Sequence, residues 1–363
     1  MSEYFEIDFL NVESKKSGDA IPLRYSIGGV PRIHVIDGGF QDTGDKVVEH
    51  IKCYYGNPRK IDAVIVSHPD GDHAGGLRTV LENFEVSTLW MLRPWLYVNE
   101  LIHRFSRFSN VDNLTRRLKD IYPNIAALEK IAQAKGISIN NPFQGAQIGE
   151  FTVLAPTMQR YLDLVVASEK TPEVLKELME YILKQRQNQL KKTTSPSYSL
   201  VRAHWGQEIF SHEETSHEND MSIVQYGNLC GQNILLTADA GRKALTEAAL
   251  YAWLTELPLQ NIDHFQVPHH GSRRNVSTPI LDLWLGPRLP VRFGEGYKKF
   301  NAIISASKED ADHPKKAVVR ACIHRGARVV STEKSDIRVS HNAPTRGWTT
   351  APALPYPEDQ EKN

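Results

Sequence analysis

The segment Ser67-His68-Pro69-Asp70-Gly71-Asp72-His73-Ala74-Gly75-Gly76-Leu77 constrains this chain more than any other, with two histidines and two carboxylates between His68 and His73. It follows an apolar run at 61–66 that reads as a buried strand, and it precedes a Gly-Gly pair and a helical pattern at 77–84. Four such side chains in a loop at a strand end are a poor way to build a core. They are a good way to hold one or two divalent cations, because imidazole and carboxylate suit zinc, manganese or iron.

The surrounding pattern predicts an α/β layered protein. Alternating apolar positions at 5–12, 21–27 and 31–39 read as strands, and 45–55 reads as a helix. From 95 to 198 helical periodicity dominates, at 99–108, 113–122, 125–135 and 171–192, interrupted by a strand pair at 146–154. Strand texture returns after a polar linker at 193–197. The division predicted is 1–94, a mostly helical insertion at 95–198, a second strand-rich half at 199–348, and a loose tail at 349–363. The end of the 171–192 helix carries Lys184, Arg186, Lys191 and Lys192, a solvated face or a phosphate contact.

Charge adds little. Lys plus Arg equals Asp plus Glu at 43 each, so nucleic-acid binding needs a local basic patch. Cys53, Cys230 and Cys322 are odd in number and far apart, which predicts reduced thiols and no disulfide framework. With no basic and apolar leader at the start and no run of membrane-spanning length, the expectation is a soluble, cytoplasmic chain without membrane contact.

Four other places repeat the arrangement of the metal loop, a metal-capable group just beyond an apolar strand: Asp37, Asp239, the pair His269-His270, and His313. Singly each reads as a turn residue, a helix cap or a surface histidine. Jointly they predict a site on loops carried by a rigid sheet.

With these residues placed, the chain resembles the metallo-β-lactamase fold, and within it the hydrolase domain of the competence protein ComEC. The residues that carry the likeness are the Phe9 to Ala20 opening, Ile36-Asp37-Gly38-Gly39, the Ser67 to Leu77 loop, Asn219 to Val224, Leu235 to Asp239, Val267-Pro268-His269-His270-Gly271-Ser272, and Ser305-Ala306 to His313-Pro314. It covers about 4–90 and 218–335. The chain departs from the pattern at Ala238, where the family has Gly, and at Ser307-Lys308-Glu309-Asp310. It also has Asn219 near the place of a third-motif histidine, with His217 as a stand-in.

The resemblance implies a four-layer αβ/βα sandwich with a helical insertion and two divalent ions, Zn or Mn. His68 and Asp70 would lean to one ion, Asp72, His73 and His269 to the other, and Asp239 would bridge. Asp37 and Asn219 would support the ligands. Asp72, His270, Ser272, Arg273 and His313 would serve the chemistry, and Arg273 and Arg274 an anionic substrate. The activity implied is metal-assisted hydrolysis of a nucleic-acid phosphodiester, in a setting of defence against foreign DNA. Hydrolysis of a small ester, lactam, lactone or nucleotide signal stays open, as does a metal-stabilised module that binds a partner without turnover. The helical insertion is the expected place for a protein partner.

Overall fold

A computed structural model describes residues 3–12, 14–106, 108–171, 199–294 and 296–362. The predicted basic helix beyond Thr171 and the linker at 193–197 lie outside the described residues. In chain order the strands are β1 (Tyr4–Phe9), β2 (Ala20–Ile27), β3 (Val30–Gly38), β4 (Lys60–Ile65), β5 (Glu85–Trp90), β6 (Ser138–Asn140), β7 (Gln147–Ile148), β8 (Phe151–Ala155), β9 (Leu200–Arg202), β10 (Val224–Leu229), β11 (Gln232–Leu236), β12 (His264–Gln266), β13 (Phe300–Ile304), β14 (Ala327–Ser331), β15 (Ile337–His341) and β16 (Asp359–Glu361). They form a seven-stranded sheet ordered β15-β1-β2-β3-β4-β5-β6, a second ordered β14-β13-β12-β11-β10-β8-β7, and a separate β16-β9 pair.

Period-two alternation decides which faces meet. Phe5, Ile7 and Phe9 of β1 join Leu23, Tyr25, Ile36 and Ile65 in a core whose other side is Phe151, Val153, Ile234, Leu236, Ile303 and Val330 of the second sheet. The two sheets therefore pack face to face. Helices Thr43–Tyr54, Leu77–Asn83 and Pro123–Lys135 cover the outer face of the first sheet around Val35, Val64 and Leu89. Helices Arg242–Leu254, Thr278–Leu285 and Lys316–His324 cover the second around Leu235, Phe265 and Ala302. The result is helices, sheet, sheet, helices, the layering of the metallo-β-lactamase fold. Each fully buried side chain of this kind contributes about 1.5–3 kcal/mol.

Two expectations change. Within 95–198 the strands are framework: β6 extends the first sheet beside β5, and β7 and β8 complete an edge of the second beside β10. The tail at 349–363 is tied down, not loose. β16 pairs with β9, and the Glu361 carboxylate accepts from the backbone N–H groups of Lys316 and Ala317 at 2.8 and 3.1 Å, satisfying free donors at a helix start. Pro and Glu richness in the sequence concealed that anchor.

What the fold gives the site is alignment. β3, β4, β5 and β6 run parallel, as do β11, β12, β13 and β14. Their carboxyl ends are the usual place for ligands in α/β sheets, and the metal-capable residues follow those ends.

Candidate metal centre

The loop after β4 turns into the short helix Gly71–Ala74, which carries Asp72 and His73. Close backbone contact sets its position. Asp19 N–H donates to the Asp72 carbonyl at 3.1 Å, and a Cβ on Gly18 would lie 2.5 Å from that same oxygen, so only glycine fits. Asp37 is the next-to-last residue of β3, with φ of 56°, in the left-handed region that aspartate tolerates. From there one carboxylate oxygen accepts from Ser67 N–H at 2.8 Å. The other accepts from Ser67 Oγ at 2.5 Å and from His73 Nδ1 at 2.8 Å. That bond places the His73 proton on Nδ1 and turns Nε2 toward Asp239 Oδ1, 3.3 Å away.

Asp239 arrives from the other sheet, after β11. Ala238 before it has φ of 44°, which explains why the resembling pattern has glycine there. The Gln266 side-chain oxygen holds that turn by accepting from Thr237 and Ala238 N–H at 2.9 and 3.0 Å. Its amide donates to Asp19 Oδ2 at 2.9 Å, joining the sheets beneath the site.

The residues after β12 turn to different oxygens of Asp239. His270, not His269, stands with Asp72, His73 and Asp239, one ligand atom from each lying within 4.8 Å of the others. Both histidines have left-handed φ, 46° and 55°, which sends them different ways. His270 Nδ1 donates to the Ser305 carbonyl at 2.8 Å, so its Nε2 faces Asp239 Oδ1 at 3.7 Å and Asp72 Oδ2 at 3.9 Å. His269 Nε2 lies 3.6 Å from the other Asp239 oxygen, with His68 Nε2 3.9 Å from that same atom. The His269 Nδ1 edge meets Asn219 Nδ2 and Asn275 Oδ1, both at 3.0 Å.

The remaining predicted residues divide. Asp70 faces outward to Lys170, Nζ to Oδ1 at 2.6 Å. Asn219 is tied to Thr215 Oγ1 at 3.0 Å as well as to His269. His217 is not in the quartet. Ser272 Oγ accepts from Arg274 N–H at 3.2 Å. Arg273 points to the carbonyls of Ile209 and Glu361 at 3.4 and 3.5 Å, and Arg274 pairs with Glu213, so the two guanidiniums offered to an anionic substrate are engaged away from the quartet. His313 sits at the mouth, its ring centre 5.4 Å from that of His269 and its Nδ1 3.2 Å from Asp310. Asp19, Gln266 and Asn275 escaped the sequence reading. The Gly18-Asp19-Ala20 turn at a strand start and a Gln inside an apolar strand were the available signals.

Charge is concentrated where water is excluded. Burial pushes the Asp239 carboxyl up, but His269, His73 and His270 overcome it and hold it well below the usual range. Burial disfavours charge on His270, yet Asp239 and Asp72 raise it to about 9, and Asp239 and Asp37 raise His73 in the same way. His68 is lowered by burial and by His73. His313 is lowered to about 4 by burial and by His269 and His270, so it is neutral at pH 7. A neutral imidazole accepts a proton or donates a hydrogen bond; it is a poor acid, which narrows the role expected of it.

The donor set fits a divalent cation on a direct observation. His68 Nε2, His73 Nε2, His270 Nε2 and Asp239 Oδ1 are buried without a hydrogen-bond partner. Buried polar atoms are otherwise nearly always satisfied, and two imidazoles with two carboxylates suit zinc or manganese.

Comparison with known proteins gives a family match over part of the chain. Residues 34–132, from β3 into helix Pro123–Lys135, match the family described as the metallo-beta-lactamase superfamily. No curated protein matches the chain. Among solved structures it is similar to the hydrolase AbOPH in the beta lactamase superfamily (11% identity, 61% of this chain and 56% of that one, TM-score 0.29). It is similar also to a CmlA beta-hydroxylase mutant (9%, 93% and 54%, TM-score 0.41) and to a metallo-beta-lactamase from Hirschia baltica (12%, 65% and 74%, TM-score 0.26). The chain thus spans little more than half the length of the first of these and of the hydroxylase.

Proposed function

We propose that this chain is a metal-dependent hydrolase acting on phosphodiester bonds in DNA or RNA. The observation that carries the hydrolase reading is the buried quartet Asp72, His73, Asp239 and His270, with its unpartnered Nε2 and Oδ1 atoms. The superfamily match over 34–132 supports it. The substrate class extends the motif resemblance to the ComEC-type hydrolase domain.

Asp72, His73, Asp239 and His270 would hold one cation, with His68 and His269 at the second Asp239 oxygen as candidates for another. Divalent cations so held supply Lewis-acid polarisation and an acidified water at neutral pH. The chain itself supplies order. Asp37 and the Ser305 carbonyl fix the tautomers of His73 and His270, leaving both Nε2 lone pairs free for one point. Neutral His313 is placed to orient or accept from a group at the mouth. Lys170, 45% exposed and paired with Asp70 of the metal loop, would meet an incoming phosphate by exchanging that partner.

A second reading, hydrolysis of a small ester, lactam or lactone, is favoured by one observation: Arg273 and Arg274 are both held elsewhere, which leaves fewer cations for a polyanion. One assay separates the two. Wild type and the Asp72→Ala, His73→Ala double variant are incubated with single- and double-stranded DNA and RNA, and with chromogenic ester and lactam substrates, under Mn²⁺, Zn²⁺ or EDTA. Metal-dependent strand cleavage by the wild type alone is the expected result. Cleavage of the esters or lactams only would transfer the assignment to the second reading, and equal activity of the double variant would remove the quartet from the chemistry.

A further inference from the structure

A second recess lies at the other end of the second sheet. The metal-capable residues follow the carboxyl ends of β11, β12 and β13, whereas this cavity opens where β13 and β14 begin, between Lys298 and Gly326, and runs along β14 beneath the 353–356 segment. Its volume is 780 Å³, within the range of about 300–1,000 Å³ in which proteins bind small molecules.

Its lining joins two chemistries. Phe293 and Tyr297 stack on one another, ring centres 4.3 Å apart and 20° from parallel, although both remain nearly half exposed. Trp205 and Tyr356 form another aromatic wall, and Tyr356 carries the Arg292 and Arg320 guanidiniums within 4.6 and 4.7 Å of its ring centre. The charged side chains among the described lining residues are all cations: Arg292, Lys298 and Arg328. Arg292 is shared with Glu358 at the rim, at 3.1 Å, and Arg328 donates one N–H to the Ala351 carbonyl. Two exposed stacked rings keep apolar faces in water at a cost, and a guanidinium offers more donors than one carbonyl takes.

We propose that this recess binds a nucleotide unit, its base stacked on the Phe293–Tyr297 face and its phosphate met by Lys298 and Arg328. A flat base satisfies the rings and a phosphate satisfies the cations, a pairing that serves single-stranded nucleic acid and free nucleotides alike. The site is separate from the metal centre, so it stands whether or not the hydrolase reading does.

The test is equilibrium binding to the full chain in EDTA, using Trp fluorescence for AMP and adenosine and anisotropy for an end-labelled oligothymidylate. The wild type should bind AMP more tightly than adenosine. Phe293→Ala with Tyr297→Ala should weaken binding about tenfold or more, with unfolding temperature and metal content unchanged, and Arg328→Gln should remove the preference for AMP. The Asp72→Ala, His73→Ala variant should bind as the wild type does, which separates this site from the metal centre. Binding of AMP assigns the site to free nucleotides, and binding of the oligonucleotide alone assigns it to a strand. Failure of the wild type to bind either probe, or wild-type affinity in the Phe293, Tyr297 double variant, would overturn the proposal.

Discussion

Two buried ionic clusters in this molecule look alike in composition and differ in completeness. Around Glu208, both carboxylate oxygens are filled: Oε1 accepts from His324 Nδ1 and Arg325 Nη1 at 2.9 and 2.8 Å, Oε2 from Thr278 Oγ1 at 2.7 Å. Arg325 spends its remaining donors on Asp282 and the Ala321 carbonyl, and His324 Nε2 meets Tyr356. Around Asp239, three imidazole nitrogens and a carboxylate oxygen have no hydrogen-bond partner, and Asp37, Ala238, His269 and His270 all hold left-handed φ. The first cluster is a closed network that fixes helices against the β9 region. The second carries backbone strain and unpartnered polar atoms, the pattern expected where structure serves binding more than stability.

The sharpest way to break that contrast is to remove one acid from each cluster. Asp239→Asn should lower metal-dependent turnover at least about a thousandfold, about 4 kcal/mol of barrier, at a smaller cost to the metal-free fold than Glu208→Ala. Glu208→Ala takes one of two carboxylate partners from the fully buried Arg325 guanidinium, leaving Asp282, and should cost about 1–3 kcal/mol in denaturant unfolding with turnover per folded molecule unchanged. If Glu208→Ala loses turnover instead, the division of labour fails.

Acid should weaken the closed cluster in a defined window. Burial favours the neutral form of Glu208, but His324 and Arg325 outweigh it and hold the carboxyl at about 2. A depressed folded value means the contribution is complete above the ordinary glutamate range near pH 4.5 and is lost as pH falls toward about 2, up to about 3 kcal/mol. His324, lowered chiefly by burial, loses stability in the same direction below its ordinary range. Urea midpoints measured across this interval should fall in the wild type and stay flatter in Glu208→Gln.

Smaller effects sharpen the open cluster. Asp37→Asn removes the charge that fixes His73 and should weaken metal affinity about 10–100-fold by calorimetric titration. Lys170→Ala frees Asp70 at a partly exposed pair and should change fold stability by no more than about 1 kcal/mol, while raising KM for an anionic substrate more than it lowers kcat.

Much of this was legible because the signals are local. Asp37, the 67–77 loop, Asp239 and the His269-His270 pair each follow an apolar run, and strand ends can be read from a few neighbouring residues. What escaped depends on distance. Gln266 and Asp19 are 247 residues apart when they bond, and the turn around one and the strand around the other do not reveal that pairing. The order of His269 and His270 turns on two backbone angles. Arg273 and Arg274 look free in sequence because their partners, in the 209–213 segment and β16, are far along the chain. The tail reads as loose because three-residue strands such as β16 carry almost no pattern.

The central claim is that the Asp239 cluster is a metal centre. Its most direct measurement is metal content by elemental analysis after dialysis against Zn²⁺ or Mn²⁺, paired with unfolding temperature before and after EDTA. The wild type should retain at least one divalent ion per chain and melt lower once stripped, while Asp72→Ala, His73→Ala should retain none and ignore EDTA. A wild type that holds no ion, or a double variant that holds as many, would contradict the account.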